Sequence, residues 1–175
     1  MPINPGKPIR DSVMGYGVQG QGQCQRLEKL DAELSRIAKQ ERLTRRLMTV
    51  PGVGPIIATA LLCKEIDPAQ FPNARMFAAY FGVVPDQRSS GNRLRTTGMS
   101  KRGDGYIRSL LINGAHSALQ RVDAKSEYPH HARLHRWEER LGKRSAAVRL
   151  ANRNLRIMYA LMKNGGSYHD QAATP

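Results

Sequence analysis

One stretch constrains the local geometry of this chain more than any other: Val50-Pro51-Gly52-Val53-Gly54-Pro55, running directly into Ile56-Ile57-Ala58-Thr59-Ala60-Leu61-Leu62. Glycine lets the backbone turn tightly and lets a ligand or another backbone come close. Proline has its φ pre-set for a first helical turn, where its missing N–H costs nothing, so Pro55 marks a helix start. The free N–H groups at such a start form an anion site. Residues Leu47–Leu62 therefore read as helix, glycine hairpin, helix. The alternative for the same residues is an ordinary tight turn between packed helices.

The charge balance says which anion is relevant. Lys and Arg number 28 against 14 Asp and Glu, a formal net charge of +14. A chain with a pI near 10.5 meets nucleic-acid phosphate before other anions. Binding of that kind weakens with salt. A ribosomal or generally adhesive basic protein would share this charge. The 175 residues suffice for one domain plus an extension, and 40% hydrophobic content supports a core of modest size. Cys24 and Cys63 lie far apart, show no metal-ligand spacing and fit a reducing cytoplasm. No apolar run approaches ~18 residues, so no membrane span or membrane partner is expected. The N-terminus has no apolar signal core, and the expected location is cytoplasmic.

Along the chain, residues 1–23 are rich in Gly, Pro and Gln and read as a disordered leader. Residues 24–47 read as a coiled-coil-like linker helix. Leu27, Leu30, Leu34 and Ile37 form a short heptad seam, continued by Glu41 as a polar member. The seam pairs either with a second copy, giving a homo-oligomer, or with its own domain. Asn73 is placed to cap a helix carrying Met76, Phe77, Tyr80 and Phe81 and ended by Gly82. With Phe71, this cluster reads as core rather than as a base-stacking platform.

Residues 85–103 lack sustained periodicity and read as a basic loop with room for a small hairpin around Ser90-Gly91-Asn92. From Asp104 the helical period returns, with Ile107, Leu110, Leu111, Gly114, Ala115, Ala118 and Leu119 on one face. Gly114 and Ala115 would let another helix approach. A polar joint near residues 122–130 leads to a helix around His131–Leu141 and a last helix from about Ser145 to Lys163. That helix buries Ala147, Leu150, Ala151, Met158 and Leu161 and shows Arg149, Arg153 and Arg156 on its other face. The organisation expected is a domain over residues 48–121, helices packing on it over 122–165, and a disordered tail at 166–175. The fold class is mainly α: a small helical domain with a helix-hairpin-helix-like element, a basic loop and an N-terminal coiled-coil-like helix.

The candidate chemistry is phosphate chemistry. Gly52 and Gly54 are the hairpin residues placed to meet backbone phosphate, a contact that carries no base information. Ser89 and Ser90 sit among Arg88, Arg93 and Arg95. A serine attacking phosphorus needs help losing its proton and positive charge around the transition state; a solvated Ser/Gly turn needs neither. Ser100-Lys101-Arg102-Gly103-Asp104 is either a further phosphate clamp at a helix start or a simple cap by Ser100 or Asp104. His130, His131 and His135 lie near Trp137 without a matching carboxylate or cysteine, so no metal site is assigned. No paired carboxylates are set for two-metal chemistry.

These motifs occur in a characteristic order: Thr49-Val-Pro-Gly-Val-Gly-Pro55, Asp67-Pro-Ala-Gln-Phe71, Phe77-Ala-Ala-Tyr-Phe-Gly-Val-Val-Pro85, Ser89-Ser-Gly91, Ser100-Lys-Arg-Gly-Asp104 and Tyr106-Ile-Arg-Ser-Leu-Leu111. Ala147-Val-Arg-Leu-Ala-Asn152 and Ile157-Met-Tyr-Ala-Leu161 continue it. The chain resembles the C-terminal domain of the insertion-sequence one-ten and eleven-eleven transposases, relatives of the Piv invertase. The resemblance implies a DNA recombinase, DNA as partner and, in many members, a guide RNA. It implies a serine nucleophile at the Ser-Gly pair, which is Ser90 here, with Ser89 as the alternative. Charge and placement in the sequence point to nucleic-acid contact at Gly52, Gly54, Arg88, Arg93, Arg95, Lys101, Arg102, Arg149 and Arg153. The family also has a RuvC-like N-terminal domain whose four acidic residues hold metal. No counterpart of that domain is expected in these residues, so Mg2+ is expected only with it, and the chain reads as a truncated or split transposase that binds but is inactive alone. The competing readings are a catalytically inactive nucleic-acid-binding module and a dimerising interaction protein built on the leucine seam.

Overall fold

The computed structural model describes residues 26–90, 93–122 and 129–169, with the backbone alone described for residues 85–98. The leader, Cys24, residues 91 and 92, most of the polar joint and residues 170–175 lie outside the described residues.

The fold is mainly helical. Helix α1 covers residues 26–40. It is followed by α2 (Arg42–Leu47), α3 (Pro55–Leu62), a short 3-10 turn (Pro68–Gln70), α4 (Ala74–Tyr80), strands β1 (Pro85–Ser90) and β2 (Arg93–Met99), α5 (Gly105–Gln120), α6 (Pro129–Leu141) and α7 (Lys143–Asn164). The caps explain the boundaries. The Asn73 side chain accepts the Met76 N–H at 3.0 Å and starts α4. The Asp104 side chain accepts the N–H groups of Tyr106 and Ile107 at 2.8 and 3.1 Å and starts α5.

Helix α7 is the axis of the domain; α2, α4, α5 and α6 all pack on it. At 22 residues it runs about 33 Å. It buries Ala147, Leu150, Ala151, Leu155, Met158 and Leu161. Against it α5 lays Ile107, Leu111, Ala115 and Leu119, spaced by four residues each. An aromatic stack closes one end. Phe77 meets Phe71 and Phe81 edge-on at 5.2 Å, and Tyr159 at 5.5 Å. Phe77 and Phe81 are buried, in keeping with a core cluster, while Met76 and Tyr80 of the same helix are exposed.

Three expectations are corrected, and the exposure of the leucine seam is added to them. The helical run does not continue through Glu41: the chain bends there, and the Thr44 hydroxyl donates to the Ala38 and Glu41 carbonyls across the bend. Leu47 consequently sits in the same core as Val50. Of the seam, Leu27, Leu30 and Ile37 are 60%, 49% and 45% exposed, while Leu34 is half-buried and the adjoining Ala38 buried. Residues 85–99 are not a loop but an antiparallel hairpin (the smaller element allowed for at Ser90). The tail is anchored over residues 165–169: the Tyr168 N–H donates to the Thr49 hydroxyl at 2.8 Å.

Candidate nucleic-acid interface

The turn between α2 and α3 is fixed by its own sequence. The Val53 N–H donates to the Val50 carbonyl at 3.0 Å. Pro51 and Gly52, the latter at φ +83°, occupy the central positions of a type II turn. Gly52 also lies against α5: a Cβ there would stand 2.7 Å from the Gly114 carbonyl oxygen. A Cβ on Gly114 would stand 2.2 Å from the Gly52 carbonyl oxygen. The small residues of α5 therefore admit the turn rather than another helix. Buried Asn154 of α7 donates from Nδ2 to the Pro51 carbonyl at 2.8 Å.

Gly54 is the N-cap of α3 and brings no side-chain acceptor. The first helical bond runs from the Ala58 N–H to the Gly54 carbonyl. The amides of Ile56 and Ile57 thus have no intrahelical acceptor. Ile56 and Ile57 border a groove of about 510 Å3, together with Gly54, Asn113, Ser117 and Arg121 among others. Arg121 also borders a smaller groove with Pro51, Gly52, His130 and His131. A helix start that attracts negative charge thus shares a groove with a cationic residue.

The second element is the β1–β2 hairpin. Its base is a backbone crossing. A Cβ on Gly82 would stand 1.9 Å from the Arg102 carbonyl oxygen, and one on Gly103 1.9 Å from that of Tyr80. The Ser100 N–H donates to the Val84 carbonyl at 2.9 Å, and Asn152 Nδ2 donates to the Val83 carbonyl at 2.6 Å. From this braced base the strands run out to Ser90 and Arg93. The register pairs Ser90 with Arg93, Ser89 with Leu94 and Arg88 with Arg95, after an irregularity at Pro85. Alternate positions on a strand, and directly paired positions, share a face. Positions 88, 90, 93 and 95 therefore share one face of the ladder, and position 89 lies on the other.

The helix start at Asp104 is not an open clamp. Its carboxylate already accepts the Tyr106 and Ile107 amides and pairs with Lys64 Nζ at 2.5 Å. The Lys64 hydrogen bond holds Asp104 below the usual carboxylate range, helped by the Ile107 amide. The same bond and charge raise Lys64. Lys101 and Arg102 are exposed beside this cap.

On α7, Arg149 and Arg156 are exposed and Arg153 half-buried. Arg149 lies over the Trp137 ring at 4.7 Å and Arg153 over the Tyr168 ring at 5.8 Å. The structure brings Gly52 and Gly54 together at one turn. Positions 88, 90, 93 and 95 share the hairpin, and Arg149 and Arg153 line α7. Among the described residues no cluster of three or more His, Cys, Asp or Glu could hold a metal ion. No described helix is long and apolar enough to cross a membrane.

Three residues escaped the sequence reading: Arg121, Asn152 and Asn154. Arg121 lies two helical turns after Gly114 with Ser117 between, a spacing that places all three on one face. Asparagine disfavours a helix interior, so two of them within three positions of α7 were a signal that their amides serve something else.

The Transposase IS116/IS110/IS902 family model matches residues 44–131. That is just over half of the chain, and the chain belongs to this family. A probable family 20 transposase of Pseudomonas aeruginosa is 37% identical over 157 residues, covering 81% of this chain and 44% of that protein. The transposase for insertion sequence element IS1111A of Coxiella burnetii is 37% identical over 138 residues, 79% of this chain and 38% of its own length. A putative transposase of Sinorhizobium fredii is 37% identical over 145 residues, 83% and 37% respectively. The chain spans less than half the length of these relatives.

Proposed function

We propose that this chain is the DNA-holding and nucleophile-bearing part of a transposase, and that Ser90 is its nucleophile. The observation that carries the reading is the hairpin register. It sets Ser90 opposite Arg93 and on the face shared by Arg88 and Arg95. Like charges paired directly across a ladder, as Arg88 and Arg95 are, destabilise it, and a two-stranded hairpin is marginal by itself. A phosphodiester on that face would relieve the repulsion and lie beside the Ser90 position. Ser89 is on the opposite face, with Leu94. The turn at residues 50–55, used as a helix-hairpin-helix element with Arg121 and the α3 amides, would hold the same DNA by its backbone.

In the reaction proposed, the Ser90 hydroxyl oxygen bonds to phosphorus and a deoxyribose oxygen leaves. The serine proton passes to a base, and the leaving oxygen takes up a proton. One phosphoester replaces another, so the bond energy is kept for rejoining. The arginines supply charge to the transition state. Mg2+ would belong to an acidic domain like that of full-length family members; no step here runs through it. A guide RNA and pairing of two copies through helix α1 are further parts of the reading.

The experiment compares the chain with its Ser90→Ala and Ser89→Ala variants, with an acidic domain of a relative supplied in trans. Denaturation-resistant DNA adducts are then measured. Ser90→Ala should bind DNA normally and give no adduct, and Ser89→Ala should give adduct. Equal adduct from Ser90→Ala removes Ser90 from the mechanism.

A further inference from the structure

A second surface lies on α7. Trp137 of α6, the arginine face of α7 and the docked residues 167–169 enclose an open groove of about 680 Å3. Arg149, Arg153 and Arg156 line it, and none of its lining residues is acidic. No carboxylate among the described residues forms an ion pair with these three arginines. Arg156 also borders the adjoining groove with Arg75. The groove is aromatic as well as basic. Trp137 and Tyr168 are half-buried, each with a guanidinium over its ring, and Arg153 donates to the Tyr168 hydroxyl at 3.2 Å. A guanidinium resting on a ring keeps its N–H fork for an oxyanion.

We propose that this groove takes a single-stranded segment of nucleic acid, with bases stacked on the Trp137 and Tyr168 layers and phosphates on Arg149, Arg153 and Arg156. The proposal deepens the reading above and rests on it only for the class of partner. Cations tracking a backbone beside aromatic faces are the combination that single strands need. A duplex keeps its bases stacked on one another and offers the rings nothing. An acidic peptide would use the cations but not the rings. Arg149 to Arg156 is seven residues, about 10 Å along the helix, which matches about three phosphates of a stacked strand.

Trp137 is the chain's one tryptophan, so its emission reports on this groove alone. The intact chain is titrated with oligouridine and oligodeoxyuridine of about ten nucleotides, with a blunt duplex of equal length, and with polyglutamate. Saturable quenching by either single strand is expected, and the better quencher identifies the sugar preferred. Three released counterions imply a log–log salt slope of about −2, or about twentyfold weaker binding for a fourfold rise in salt. Arg156→Gln, at an exposed position, should flatten that slope by about 0.7. No quenching by either strand, or equal quenching by duplex or polyglutamate, overturns the proposal. Duplex binding is followed separately by anisotropy of a labelled DNA. Duplex bound with a silent tryptophan sinks this inference alone; no binding to any nucleic acid sinks the proposed function with it.

Discussion

Gly52 and Gly54 stand two residues apart, yet alanine should act on them in opposite ways. At Gly52 a methyl group meets the Gly114 carbonyl oxygen at 2.7 Å and Ala118 Cβ at 3.1 Å, on a backbone at φ +83°. The left-handed conformation costs a non-glycine residue about 1–2 kcal/mol. Crowding a packed contact adds about 1–3 kcal/mol. For a chain of this size each kcal/mol moves the melting temperature by about 2–4 °C, so Gly52→Ala should melt about 5–15 °C lower. At Gly54 the backbone lies at φ −94°, ψ 179°, and a Cβ would have nothing within 4 Å. Alanine gains about 0.4–1 kcal/mol through the unfolded state and loses a similar amount as a poorer N-cap. Gly54→Ala should therefore melt within about 3 °C of the parent. Its methyl group nevertheless stands where a phosphate would approach the α3 amides. Losing one charge-assisted hydrogen bond, worth about 1.5–3 kcal/mol, weakens duplex binding about tenfold to a hundredfold. Thermal melts and fluorescence anisotropy on both variants separate fold from contact. A Gly54→Ala protein that melts normally and binds DNA normally would refute phosphate contact at this turn.

The Lys64–Asp104 pair gives a pH signature. Asp104 is held below its ordinary range, so its charge stabilises the fold above that range and the effect is lost as pH falls through the lowered pKa. Lys64 is raised, so its share persists up to, and is lost through, that higher pKa. Asp104→Asn keeps a cap acceptor but removes the charge: its melting deficit should be present near neutral pH and vanish in acid. A deficit unchanged from neutral to acid would contradict the pairing. Exposed Leu30 and Ile37 lead to a third expectation. Leu30→Glu with Ile37→Glu should lower the sedimentation coefficient at high concentration without lowering the melting temperature, and a parent chain that is monomeric there would leave the seam without a second copy.

What the sequence made legible was mostly local chemistry. Pro55, Asn73 and Asp104 mark helix starts because a proline ring and side-chain oxygens act within three residues of themselves. The four-residue spacing of Ile107, Leu111, Ala115 and Leu119 marks a buried face because helix period and burial coincide. The β1–β2 hairpin was less legible: Arg, Ser and Thr alternate there without an apolar face, so the pattern that identifies a half-buried strand is missing. Two nonlocal facts could not be read at all. Gly114 is small for the sake of a turn sixty residues earlier, and Tyr168 returns to Thr49 across the whole domain. At the candidate site, Ser90 and its arginines stood in the sequence, whereas the pairing that sets positions 89 and 90 on opposite faces of the ladder did not.

In the function proposed, this chain grips the DNA backbone through the 50–55 turn and the cationic face of the hairpin. Anisotropy of a labelled duplex measured across a salt series tests it most directly. Four arginines on phosphate, at positions 88, 93, 95 and 121, correspond to a log–log slope of about −3.6, and Arg121→Gln should reduce it by about 0.9. A slope near that value that flattens in the variant is the expected result; a chain that leaves duplex DNA unbound at low salt contradicts the account.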